Sequence, residues 1–257
     1  MANYYGTLTL FRRESRRFLK VYMQTVFAPL VSNLLFLAIF GLSLHRTVPI
    51  EGVSYLQFLV PGLIVMGLIN NAYQNPSSSI ILMKYQGVIT NLLIIPLRKI
   101  EIFSAFICAS LLRSFIVATV TFIASLFFVS FTYYSIPMIF LAAFLIALFF
   151  SSLGLAVGIW AKEFDNQAFI FSFILTPLIF LGGVFFPASK FPGAFAQIIK
   201  INPIIYMIDL FRYGFNGIHE FPIIDSVAIL LVATFLVSWL AYHLLKTGYQ
   251  LQNGGKS

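Results

Sequence analysis

Ile136-Pro-Met-Ile-Phe-Leu-Ala-Ala-Phe-Leu-Ile-Ala-Leu-Phe-Phe-Ser-Ser-Leu-Gly-Leu-Ala-Val-Gly-Ile-Trp160 contains no charged residue. Spanning about 30 Å of hydrocarbon takes roughly 20 helical residues at 1.5 Å each, so this stretch is long enough to cross a bilayer. Five other stretches read the same way: roughly Tyr22–Leu44, Phe58–Ser78, Ile102–Val129, Ala168–Phe186 and Ile223–Leu245. The 257 residues are 60% hydrophobic and 9% charged. A soluble domain carries about a quarter charged residues, so lipid must replace water around much of this chain. The expected fold is an all-α membrane protein with six transmembrane helices, built as one domain over 1–257.

The net charge of +8 invites comparison with nucleic-acid binders, whose basic patches release counterions from phosphates. Here the cations sit between apolar runs, as topology determinants do. With the N-terminus inside, Arg12, Arg13, Arg16, Arg17, Lys20, Lys84, Arg98, Lys99, Lys162, Lys246 and Lys256 fall on the cytoplasmic side. Arg46, Lys190, Lys200 and Arg212 fall outside, and Arg113 lies within a span. This bias predicts a multi-pass protein with both termini cytoplasmic, 246–257 forming a tail, and it argues against nucleic acid as a partner. The first apolar run begins only near Val21, is too long for a signal-peptide core and lacks a small-x-small cleavage site before Arg46, so no cleavable signal is expected. The single cysteine, Cys108, reads as a small buried hydrophobe.

Three segments flank the predicted 22–245 bundle or interrupt it. In 7–21, Leu8, Phe11, Phe18 and Tyr22 share one helical face while Arg12, Arg13, Arg16, Arg17 and Lys20 fan over another. That pattern predicts an amphipathic helix in the membrane interface, its cations toward lipid phosphates. Between the second and third spans, Val88 to Ile95 predicts a short helix stopped by Pro96, because a residue before proline avoids the α region. Its apolar face must bury against the interface, the N-terminal helix or a partner protein. After the fifth span, Gly182, Gly183, Pro187, Asn202 and Pro203 break an otherwise apolar stretch. Irregular backbone at membrane depth survives only where protein or a water-filled cavity satisfies it, so a pair of short re-entrant helices is expected before the last span.

No energy source is visible in the chain. All eight acidic residues avoid span centres, which argues against ion coupling. The Gly254-Gly-Lys-Ser257 string mimics the end of a phosphate-binding loop, but Gln250 occupies the position of its first glycine. His219-Glu220 has no second histidine four residues after His219, and no Gly-x-Ser-x-Gly elbow exists. No catalytic residue, metal site or cofactor is therefore expected in this chain. Arg113 falls near the middle of the third span, where an arginine costs about 2.5–3.5 kcal/mol and should face protein or water. Asn70 and Asn71 reach the same depth in the antiparallel second span. The expectation is a bond from Arg113 to one of them, either as glue between helices or beside a cavity that meets a transported molecule. Gly154-x-x-x-Gly158 allows close helix packing.

Several strings carry a family resemblance: Gln57-Phe-Leu-Val-Pro-Gly-Leu-Ile64, Asn70-Asn-Ala-Tyr73, Thr176-Pro-Leu-Ile-Phe-Leu-Gly-Gly-Val-Phe185, Asn202-Pro-Ile-Ile-Tyr-Met207 and Phe211-Arg-Tyr-Gly-Phe215. With the order of parts, they make the chain resemble the ABC-2-type exporter permeases, most closely the YadH-type transport permeases of the bacterial inner membrane. The resemblance implies a permease without its own ATPase, working as a dimer, here a homodimer, on two cytoplasmic ABC ATPase subunits that bind ATP and Mg. It implies that Gly87, Val88, Leu92, Leu93 and Pro96 belong to the coupling helix that docks into the ATPase. The N-terminal helix bearing Phe11 to Lys20 would lean on the same subunit. The Ala188–Gly217 stretch, with Arg212, would form the outer re-entrant pair below the exit. Relatives of this kind move drugs, lipids or glycoconjugates.

Overall fold

In the computed structural model, which describes residues 4–44, 52–94, 96–190 and 194–250, the described residues form helices and no strand. Arg46 and the 251–257 part of the tail, with Gly254 and Lys256, lie outside the described residues. The helices are α1 (Tyr4–Lys20), α2 (Ala28–Leu44), α3 (Tyr55–Tyr85), α4 (Ile89–Ile94), α5 (Lys99–Ser125), α6 (Ile136–Trp160), α7 (Phe164–Val184), α8 (Ala194–Ile201), α9 (Pro203–Asn216) and α10 (Ile223–Thr247). Six are long and apolar enough to cross a membrane: α2 with the wide turn Met23–Phe27 before it, α3, α5, α6, α7 and α10.

The span boundaries move outward from the sequence expectation where a cap rewards it. Helix α3 begins at Tyr55 because Ser54 and Gln57 form a reciprocal capping box, Ser54 Oγ accepting from Gln57 N and Gln57 Oε1 from Ser54 N. Helix α5 starts at Lys99 because the Glu101 carboxylate accepts from the Arg98 N–H at 2.8 Å. Both caps sit in polar sequence that hydropathy alone discards. The fifth span is a helix of varied pitch, widened over Ile170–Leu175 and again over Phe180–Val184. Pro177 lies between the two wide turns, and Thr176 Oγ1 donates to the Phe171 carbonyl at 2.9 Å.

Helix α3 is the axis of the bundle. In its most apolar window 83% of residues are buried, against 17% in α2 and in α10, which therefore turn most of their surface to lipid. It packs most extensively on α6 and α5. Contact with α6 is close because Gly154 and Gly158 lie against it. A methyl group on Gly154 would stand 2.2 Å from the Tyr73 carbonyl oxygen, and one on Gly158 would stand 2.9 Å from Ser77 Cα. Small residues at four-residue spacing let backbones approach where lipid offers no hydrophobic drive for association.

The first helix departs from the sequence expectation. The face it buries carries Leu10, Glu14, Ser15 and Phe18, packed on α5, while Leu8 and Tyr22 are exposed. Arg17 leaves the cationic fan and turns into the bundle, because the buried Glu14 carboxylate at i−3 accepts its Nε–H at 3.0 Å. Arg12, Arg13, Arg16 and Lys20 remain exposed.

Replacing Gly154 by valine should force α3 and α6 apart and lower stability by about 1–3 kcal/mol, as overpacking does. Thermal unfolding in detergent should show that loss, with Leu236→Val on the lipid-facing side of α10 unchanged.

Candidate functional site

At one end of the bundle the chain leaves α3 through a tight helix stop. The Gly87 N–H donates to the Lys84 carbonyl and the Val88 N–H to the Met83 carbonyl, each at 3.0 Å, with Gly87 at φ +69°. This left-handed stop satisfies the last α3 carbonyls and reverses the chain into α4. Of the α4 residues, Ile89 and Leu92 are buried beside Met83, Ile102 and Phe106, whereas Thr90, Asn91 and Ile94 are exposed. Tyr85 and Gln86 are exposed beside them, and so is Pro96. The Leu93 side chain lies outside the described residues. Leu92 therefore cannot present itself to a docking partner, because its burial holds α4 against the bundle. Val88 is half-buried in the same cluster.

Lys84 anchors this end. Its buried ammonium donates to the Ala161 carbonyl at 2.8 Å and to the Ile159 carbonyl, two acceptors at the C-terminal end of α6. A cation at a helix C-terminus meets carbonyls that lack an intrahelical partner, so charge and hydrogen bonding act together. The last turn of α3 is thereby fixed to the α6–α7 turn.

A polar seam runs inward from α1. Arg17 Nη2 donates to the Asn75 carbonyl at 2.8 Å and to Asn75 Oδ1 at 3.0 Å, and Asn75 Nδ2 donates to Ser110 Oγ at 3.1 Å. Ser79 Oγ donates to Glu14 Oε2 at 2.6 Å. One turn further along α3, Asn71 Nδ2 donates to its own Gly67 carbonyl, which aims Oδ1 at Arg113, and Arg113 Nε donates to it at 3.0 Å. Asn70 stands beside them with its Oδ1 buried and without a donor. Asn33 of α2 donates to Thr121 Oγ1 at 3.4 Å. Asn33, Asn70, Asn71 and Arg113 all lie near the middle of their spans.

The opposite end is built on α9. Gly183, at φ +86°, ends the fifth span, and its carbonyl accepts from Arg212 Nη2 at 2.7 Å. Arg212 is buried, donates from Nε to the Phe58 carbonyl at 3.3 Å and lies 3.6 Å from the centroid of the Phe58 ring. Asn202 caps α9 by accepting from the Ile204 N–H at 3.0 Å, while its Nδ2 reaches the Leu178 carbonyl at 2.7 Å. Pro203 follows as the first residue of α9. Gly182 admits Ile204, since a methyl group there would stand 2.8 Å from its Cγ2. Pro187 is buried at the start of the connection to α8. Asp209 accepts from the Glu220 and Phe221 N–H groups at 2.9 and 3.2 Å. Burial pushes its carboxyl up, against those two donors and the nearby Arg212, which pull it down. An apolar cavity of about 290 Å³ opens between α3, α5, α6 and α9, walled by Ile64, Leu68, Phe122, Phe140 and Phe215.

Residues 5–216 of this six-span helical chain match the model of the family described as ABC-2 type transporter. The chain belongs to that family. It is 37% identical over 235 residues to the inner membrane transport permease YadH of Escherichia coli K12, covering 90% of this chain and 92% of that protein. It is also 27% identical over 218 residues to nodulation protein J of Rhizobium meliloti, covering 82% and 81%.

In this ABC-2 chain the structure brings Arg113 onto Asn71, as the sequence reading allowed, and leaves Asn70 next to the pair. It also places Gly182, Gly183, Asn202, Pro203 and Arg212 in one assembly. The sequence reading missed Glu14, Asn33, Asn75, Ser79 and the clamp made by Lys84. The available signal was Glu14 itself, a lone acid among arginines at i+3 spacing from Arg17. Glu14→Ala should free α1 from α3 and cost about 3 kcal/mol, since it strands one partner of a buried pair. Trypsin should then cut at Arg12, Arg13 and Arg16 in membranes while the six spans stay inserted.

Proposed function

We propose that this chain is the membrane permease subunit of an ATP-driven exporter in a bacterial inner membrane. In this reading two copies stand over two cytoplasmic ABC ATPase subunits, which bind ATP and Mg, and both termini face the cytoplasm. Membership of the ABC-2 family supports a transport role, and similarity to the E. coli inner membrane transport permease YadH supports the inner membrane. The observation that carries the reading is α4. It is a short helix held on the bundle by buried Ile89 and Leu92, beside the Lys84 clamp at the end of α3, with Thr90, Asn91 and Ile94 turned outward next to the exposed Tyr85. A rigid mount with an exposed mixed face suits a helix that transmits force from a partner. Among the described acidic residues none lies at the middle of a span, so an external energy source fits better than ion coupling.

The surface offered to the ATPase is the outward one, so Leu92 belongs to the mount. Mild-detergent purification should recover a P-loop subunit at about one-to-one with vanadate-sensitive hydrolysis, consistent with a driven complex. Tyr85→Ala with Ile94→Asp should lower that recovery at least about tenfold, as loss of interface anchors does, and leave the permease's own unfolding temperature unchanged. Leu92→Asp should instead destabilise the permease alone, because it buries a charge. A solitary protein with no hydrolysis after crosslinking would refute the exporter reading.

A further inference from the structure

Arg113 sits at the middle of its span with a charge that nothing among the described residues neutralises. It is 7% exposed, and its one hydrogen bond among the described residues is from Nε to a neutral amide oxygen of Asn71. No ion pair to it is found among the described residues, and the charge acting on it most directly is Arg17, of like sign. Glu14 is matched to Arg17, so the seam holds two guanidinium groups and one carboxylate. A bond between helices alone needs only a neutral donor, which would avoid the cost of a cation in hydrocarbon. With Nε committed to Asn71, both Nη groups of the planar fork remain for an acceptor, and end-on pairing with a carboxylate, sulfate or phosphate uses that edge. Its neighbours are small or neutral: Ser110 and Ser114, one turn and one residue away on α5, are buried, and Asn70, beside Asn71 on α3, has a buried Oδ1 without a donor.

We propose that Arg113 receives the anionic group of the transported molecule, and that the cargo is an amphiphile bearing a phosphate, sulfate or carboxylate. Arg17, one α3 turn closer to the α4 end, is already paired with Glu14 and bonded to Asn75, which leaves Arg113 as the uncompensated charge of the seam. Asn71 positions Arg113 by fixing the guanidinium plane. The proposal rests on the transporter reading and assigns the chemistry of its cargo.

The full chain in phosphatidylcholine nanodiscs, titrated with radiolabelled dodecyl phosphate, tests this without any ATPase. Unlabelled dodecyl phosphate should compete at least about tenfold better than dodecanol, the margin expected of a charge-assisted pair. Arg113→Met should erase that preference, and Arg113→Lys should keep part of it, since the charge remains and the fork is lost. Arg12→Gln, Arg13→Gln and Arg16→Gln together should leave it intact, which separates the site from the basic surface of α1. If Arg113→Met fails to insert, Arg113→Gln, which keeps a donor for Asn71 and drops the charge, carries the same expectation. Equal competition by dodecanol in the unaltered chain overturns the proposal. So does a preference that survives loss of the Arg113 charge, or one that disappears with the three surface arginines. Because no ATPase takes part, a failed co-purification would defeat the exporter reading and leave this result standing.

Discussion

Helix α3 carries Pro61 and Pro76 through the centre of the bundle, and a proline inside a helix withholds an N–H from the carbonyl four residues earlier. In hydrocarbon no water can take up that carbonyl, so protein must. For Pro61 the freed acceptor is the Gln57 carbonyl, and Asn216 Nδ2 donates to it at 2.7 Å. Arg212, on the same helix α9, reaches the neighbouring Phe58 carbonyl. The helix after the fifth span is thus bound to the start of α3 by an unfilled backbone acceptor, and the fifth span is bound in turn through the Gly183 carbonyl. At the other end Arg17 of α1 takes the Asn75 carbonyl, just before Pro76. The amphipathic first helix and the broken outer stretch look unrelated in sequence, yet each attaches to the same axis beside one of its prolines.

Several polar groups near the middle of this bundle are paired between helices, and the pairing explains their placement. Asn71 spends its amide N–H on its own helix and keeps its oxygen for Arg113. Asn75 accepts from Arg17 and donates to Ser110 of α5. Each amide therefore joins two elements at once, a useful property where association between spans cannot rely on hydrophobic burial. Gly67 gives α2 room to reach this layer, since a methyl group there would stand 3.2 Å from Asn33 Nδ2. One of the two least buried spans is thus drawn to the axis by a polar contact and a missing side chain.

The six spans were legible because length and apolarity are properties of single segments. The contacts between segments were not, as the first helix shows. Counting faces put Leu8 and Tyr22 on its apolar side, but a buried Glu14–Arg17 pair rotated the helix so that Leu10 and Phe18 face α5. Hydrophobicity ranks single side chains, whereas a pair that neutralises itself changes its rank only when both partners are seen together. The burial of Leu92 was not legible for the related reason that an apolar residue on a short amphipathic helix can face a partner or its own bundle, and the pattern reads the same in both cases. The Arg113–Asn71 contact was readable because depth along two antiparallel spans is fixed by counting residues. Lys84, by contrast, was read only as one positive charge among many, and its grip on the α6 carbonyls depends on where another span happens to end.

The length of α3 has a consequence for the lipid around it. Its 31 residues extend about 46 Å, close to the full thickness of a bilayer with its headgroup layers. Since α4 is mounted on the end of this helix through Lys84 and Gly87, its height above the headgroups is set by how thick the membrane is. Shorter acyl chains leave α4 standing clear in water, and longer ones draw it down among the headgroups. Fatty-acid composition thereby becomes an adjustable setting on how far that helix stands from the lipid surface.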